Sequence, residues 1–193
     1  MDISMRSFYK TFHSKFIKIY PSKDTCSKYS KAVFTTLAEM ALDRNMQCWV
    51  TGSRICNKEL KARLERKNGS ELSEYMVDMC WASNRKISLA IESEWDTNLD
   101  SLSWDFAKLI DINSSRKVFI SDFGKNKQKK EKKIKALCEL IGAYDQKRLF
   151  EDDQYLFIDI NPKNIAYACY AINKSKKLTL RFEKEQSWDS ETK

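Results

Sequence analysis

Glycine and proline are scarce, 4 and 2 in 193 residues. That excludes collagen-like and low-complexity chains, and with 12% aromatic residues it excludes a largely disordered one. Histidine occurs once, as His13, so Ser-His-Asp and Cys-His mechanisms lack support. The cysteines, Cys26, Cys48, Cys56, Cys80, Cys138 and Cys169, form no C-x-x-C pair. With a single histidine, no zinc site is legible by spacing. Cys80, Cys138 and Cys169 lie within apolar patterns and read as small buried side chains. No apolar run approaches the length of a membrane span. The opening Met1-Asp2-Ile3-Ser4-Met5-Arg6 lacks a signal-peptide apolar region. The expectation is a cytoplasmic protein with reduced thiols and no membrane partner.

What is abundant is positive charge. Lys and Arg number 35 against 27 Asp and Glu, a formal net charge of +8. Such an excess favours a polyanion partner, nucleic acid or an anionic surface. Within this basic chain stands the acidic run Ile91-Glu92-Ser93-Glu94-Trp95. In a strand, side chains alternate faces, so Glu92 and Glu94 share a side, about 7 Å apart along the chain. Residues 75–81 read as a preceding strand carrying Asp78, with a turn at 82–85. On that reading Val77, Met79 and Trp81 take one face and Asp78 the other. Ile87, Leu89, Ile91 and Trp95 oppose Ser88, Ala90, Glu92 and Glu94 in the same way. Carboxylates gathered on one face repel unless a cation joins them. Mg²⁺, with its preference for oxygen ligands, is the natural candidate, and Mn²⁺ an alternative. The plain alternative is a solvated acidic face of an amphipathic hairpin.

At 193 residues the chain has the length of one domain. Residues 1–23 form an aromatic, basic segment, 24–184 the body, and 185–193 a polar tail. The segment reads as a short amphipathic helix packing on the body, or as a strand-binding arm. Asp24 or Thr25 caps a helix running to about Arg44, with Tyr29, Val33, Leu37, Met40 and Ala41 as its buried stripe. Residues 47–51 read as a strand, 57–67 as a charged helix and 99–111 as an amphipathic helix. Residues 116–121 and 154–160 are buried-type strands, and 166–172 with 177–183 form a closing hairpin. Between 121 and 154 lies a lysine run, Lys125, Lys127, Lys129, Lys130, Lys132, Lys133 and Lys135, whose C-terminal part continues as an amphipathic helix. These lysines suit phosphates; the alternative is a solvated helix entrance. The whole is an α/β protein with a mixed central sheet flanked by helices.

That order, with Asp78 and Glu92-Ser93-Glu94 on neighbouring strands, resembles the PD-(D/E)xK nuclease-like superfamily over residues 25–122. The resemblance implies a restriction-endonuclease-like core, αβββαβ, followed by C-terminal strands. It matches Asp78 to the first acid and Glu92 to the second, with Glu94 standing where Lys is usual, a Glu-x-Glu variant. It implies Mg²⁺- or Mn²⁺-dependent phosphodiester hydrolysis of nucleic acid, DNA foremost. Asp78, Glu92 and the Ser93 carbonyl would hold the metal. Lys108, from the following helix, would replace the missing lysine, or Glu94 would orient water in its stead. Glu39 and Glu74 are candidates for an extra acid. The Lys125–Lys133 run would contact nucleic acid, and a homodimer could add sequence readout. The alternative on the same fold is a catalytically silent nucleic-acid-binding or protein-interaction module.

Overall fold

A computed structural model describes residues 3–19, 26–55, 57–73, 76–124, 126–143, 149–161, 164–175 and 177–187. Among these residues five α-helices and seven strands make an α/β fold whose mixed sheet keeps its strands in chain order. The chain falls into two compact units, Met1–Ala90 and Ile91–Lys193.

In the first unit, α1 (Met5–Ile19) repeats phenylalanine every fourth residue. Side chains four apart share a helix face, so Phe8, Phe12 and Phe16 stack in sequence and are fully buried. Phe8 meets Trp81 with ring centroids 5.5 Å apart. The aromatic segment therefore packs within this unit. The next helix, α2 (Cys26–Asp43), buries Val33, Leu37, Met40 and Ala41 as its periodicity predicts. Lys15 and Asp43 join the two helices at 3.0 Å. Strand β1 (Gln47–Val50) follows, then a 3₁₀ turn at Gly52–Arg54 and α3 (Lys58–Asn68). Asn57 caps α3 by accepting from the Leu60 N–H, and Gly69 closes it at φ 73°, the left-handed conformation that favours glycine. The buried Asn68 amide donates to the Cys48 carbonyl and accepts its N–H.

Strands β2 (Met79–Ser83) and β3 (Lys86–Glu94) correct the expected hairpin. Asn84 and Arg85 alone make the turn, at φ 51° and 62°, the left-handed pair a tight hairpin uses. Ala82 and Ser83 thus belong to the strand and not to the turn. The predicted one-sided burial is also corrected. Leu89, Ala90, Ile91 and Glu92 are all buried, so β3 has two dry faces, as an interior strand does.

In the second unit, α4 (Leu99–Asp111) leads to β4 (Arg116–Ser121). Helix α5 (Lys127–Ala143) leads to β5 (Gln154–Ile160), which pairs parallel to β4. Phe106 of α4 packs on Phe119, Tyr155 and Phe157 and anchors the helix to this strand pair. Helix α5 begins at Lys127, so from there on the lysine run is helical from its start. Asn126, which accepts from the Lys129 N–H at 3.1 Å, is the missed cap. Strands β6 (Asn164–Ile172) and β7 (Leu178–Ser187) close the sheet antiparallel. Strand β7 extends to Ser187, through part of the expected polar tail, because its polar residues pair with β6 as far as Asn164.

Candidate active site

Glu92 occupies the buried end of β3, 1% exposed. A carboxylate there requires a partner, and α4 supplies it: Lys108 Nζ lies 3.8 Å from Glu92 Oε1. The same ammonium is held more closely by Asp105 Oδ1, at 2.5 Å, one turn back along α4. Lys108 and Asp105, three apart, share a helix face. Glu94, two residues beyond Glu92, is hydrogen-bonded to Asp105. Burial first, and then this carboxyl–carboxyl contact, push its pKa up, against the bond its Oε1 accepts from the Asp96 N–H at 2.6 Å. Two carboxyl groups so joined compete for one proton. The arrangement is therefore Glu92 and Asp105 on one ammonium, with Glu94 joined to Asp105.

Of the sequence candidates, Glu92, Glu94 and Lys108 are thus brought together. Asp105 was missed, although its position one turn before Lys108 was a usable signal. Ser93 lies between the two glutamates on β3, half-buried. Asp78 stands in a bend just before β2, not within the strand as expected. It pairs with Arg54 at 2.8 Å, and the Arg54 guanidinium also covers the Phe34 ring at 4.7 Å. Both contacts fix that bend. Glu39 is half-buried on α2 in the same unit. Glu74 and Lys125 lie outside the described residues.

Asp96 is a structural acid. It accepts from the Asn98 N–H and the Ser101 hydroxyl, and Asn98 in turn caps α4. The Asn98 and Ser101 bonds, with a smaller pull from Lys133, hold its pKa below the usual carboxylate value. That pull links Lys133 of α5 to the loop after Glu94. The run divides by role. Lys130 pairs with the buried Asp159 at 2.8 Å, and Lys133 donates to the Phe123 carbonyl. Lys127, Lys129 and Lys132 are exposed. Beneath α5, toward β5–β7, lies a cleft of about 920 Å³ lined by Lys127, Lys130, Phe157, Asp159 and Tyr170. Asp159 accepts the Phe123 N–H as well, and its pKa is raised by burial despite Lys130. Its register neighbour Ser121 is fully buried, with a hydroxyl that has no hydrogen-bond partner among the described residues. Trp104 on α4, 76% exposed, was also missed.

Thiol chemistry is disfavoured at Cys80, Cys138 and Cys169. Burial pushes Cys80 up to about 11 and Cys138 and Cys169 up to about 12, so each is protonated and a poor nucleophile at neutral pH. Among the described residues no group of three or more His, Cys, Asp or Glu is arranged to hold a metal ion. In kind, the donors of Glu92, Glu94 and Asp105 are hard oxygens of the type Mg²⁺ and Mn²⁺ accept. A dication would relieve the competition of Glu94 and Asp105 for a proton. Among the described residues no helix is long and apolar enough to cross a membrane. No known protein family, no curated protein and no solved structure matches the chain.

Proposed function

We propose that this chain is a metal-dependent nuclease that hydrolyses phosphodiesters of nucleic acid, DNA foremost, in the cytoplasm. The observation that carries the reading is Lys108 of α4, turned back to Glu92 at 3.8 Å. The motif that Glu92 and Glu94 resemble needs an ammonium beside its acids, and β3 itself carries none at that place. The element order α2, β1, β2, β3, α4, β4 is also that of an αβββαβ core, with α3 inserted after β1. Glu92, Glu94 and the Ser93 carbonyl, joined by Asp105, would hold Mg²⁺ or Mn²⁺, which would supply Lewis acidity and a water of lowered pKa. The chain's own part is charge placement. Lys108 is 38% exposed, so its ammonium has room to turn from Asp105 toward a phosphate oxygen. Glu94, its pKa raised by burial and by Asp105, would take up a proton more readily than an exposed glutamate. The exposed lysines of α5 would hold the strand, and binding would weaken with salt.

A second reading has its own observation. Lys108 already offsets Glu92 and Asp105, and Asp105 is joined to Glu94, so the group is compensated internally. Such a set suits a silent nucleic-acid-binding module. One experiment separates the two: incubation of single- and double-stranded DNA and RNA with Mg²⁺ or Mn²⁺, comparing the native protein with Glu92→Gln and Lys108→Ala. Cleavage lost in both variants supports the nuclease. Equal cleavage in all three overturns the site. Salt-sensitive binding without cleavage in the native protein selects the silent module. Asp78→Asn in the same assay tests the first acid of the motif.

A further inference from the structure

The beginning of β4 carries a different chemistry. Lys117 is 2% exposed. Its Nζ donates to the Ile110 carbonyl at 3.4 Å and to the Tyr155 hydroxyl at 3.2 Å. It also lies 5.0 Å from the centroid of the Tyr155 ring. Parallel pairing places Lys117 opposite Tyr155, so the contact is built into the register. Lys117 also lines a cleft of about 200 Å³ with Asp111, Asn113, Ser114, Phe150 and Asp153. At about 30 Å³ for each water, that space suits a compound of a few heavy atoms.

We propose that Lys117 is the reactive amine of a small-molecule site that takes a small uncharged aldehyde or ketone as an imine. A buried ammonium whose hydrogen bonds go to neutral oxygens is poorly solvated, which favours the free amine. Burial lowers its pKa to about 8, while Asp153 and then Asp111 pull the other way. An exposed lysine titrates near 10.4, so at neutral pH Lys117 offers far more nucleophile. The same two aspartates repel carboxylates and phosphates, and Phe150, 57% exposed, offers an apolar cover. This selects an uncharged carbonyl compound.

The step balances without any oxidant. The ammonium first gives up one proton to solvent in the cleft. The Nζ lone pair then forms a bond to the carbonyl carbon, and the π pair moves to oxygen. Transfer of the second N–H proton to that oxygen gives a carbinolamine. Its hydroxyl leaves as water, taking back the proton first released, and a C=N bond remains.

Native protein is incubated with propionaldehyde and cyanoborohydride, which reduces an imine to a stable secondary amine, and the labelled peptides are mapped by mass. Lys117 should be labelled at least about tenfold faster than Lys127 at pH 7.5, burial having lowered its pKa to about 8. Its rate should rise with a midpoint near pH 8, and the preference should vanish in urea. Lys117→Arg should lose that label and keep the labelling of exposed lysines. Labelling of Lys117 no faster than Lys127, or a preference that survives unfolding, overturns the proposal.

Discussion

The two ends of the parallel strands β4 and β5 hold buried charge in different ways. At the C-terminal end Asp159 is buried against Lys130 at 2.8 Å and also takes the Phe123 N–H. At the N-terminal end Lys117 is buried against a carbonyl and a phenol. Desolvation is the largest cause in both, raising the acid and lowering the base, so each is driven toward its neutral form. The difference is the counter-ion in contact. A buried charge with one keeps its charge and suffers when the partner is removed. A buried charge without one is ready to give up its proton, and that readiness is chemistry.

Glu92 belongs to the first kind, 1% exposed against a Lys108 that is 38% exposed. If this pair serves catalysis, Glu92→Gln should lower cleavage by about 10³-fold, on the order of 4 kcal/mol, with little change in the urea midpoint. Gln keeps the volume and removes a buried charge. A large loss of stability with cleavage unchanged would move Glu92 to the purely structural side. Breaking the Asp159 pair comes next. Lys130→Met leaves a buried carboxylate without its cation and should cost about 3 kcal/mol at pH 8. The folded-state pKa of Asp159 is raised, so the penalty exists only where the acid is ionised and fades as pH falls. Urea unfolding at pH 8 and pH 5 should therefore give a larger difference between native protein and variant at pH 8. An equal loss at both would mean Lys130 acts by packing.

Lys117→Met addresses the other end. The folded Lys117 releases its proton near 8, whereas the unfolded chain holds it to about 10.4. Between those values the unfolded state binds more protons, so stability rises with pH, by up to about 1.4 kcal/mol per pH unit for this one group. Stability from this group is fully present above the unfolded value and lost as pH falls through the folded one. Against native protein, Lys117→Met should show a flatter rise in urea midpoint between pH 8 and pH 10. Parallel profiles would mean that Lys117 keeps its proton when folded, and would remove its distinction from Asp159.

The sequence made the main elements legible because their periods were clean. Leu99–Asp111 and Arg116–Ser121 have the bounds expected from spacing alone. Lys108 was legible as a candidate only through the resemblance, which implies an ammonium from the helix after β3. Asp105 was legible only as the helix-face neighbour of Lys108, three positions before it; nothing local marks it as a neighbour of Glu94 until α4 is folded. The bend at Asp78 escaped for a similar reason: Arg54, 24 positions earlier, is its partner. Lys117 read as one basic residue in a buried-type strand, and only the Tyr155 register gives it a role. In each case period fixes the local element, while long-range pairing decides which charges meet.

The smallest expected effect separates lysines within one helix. Lys130 and Lys133 are engaged with Asp159 and the Phe123 carbonyl, whereas Lys129 and Lys132 are exposed. Their substitution by Ala should change stability by no more than about 0.5 kcal/mol. It also removes positive charge from the early turns of α5, where the helix dipole disfavours it. If these lysines meet phosphates, each replacement should weaken nucleic-acid binding without regard to sequence. Each should also reduce the slope of log affinity against log salt by about 0.9 on duplex DNA. An unchanged slope in the double variant would remove Lys129 and Lys132 from any contact with a strand.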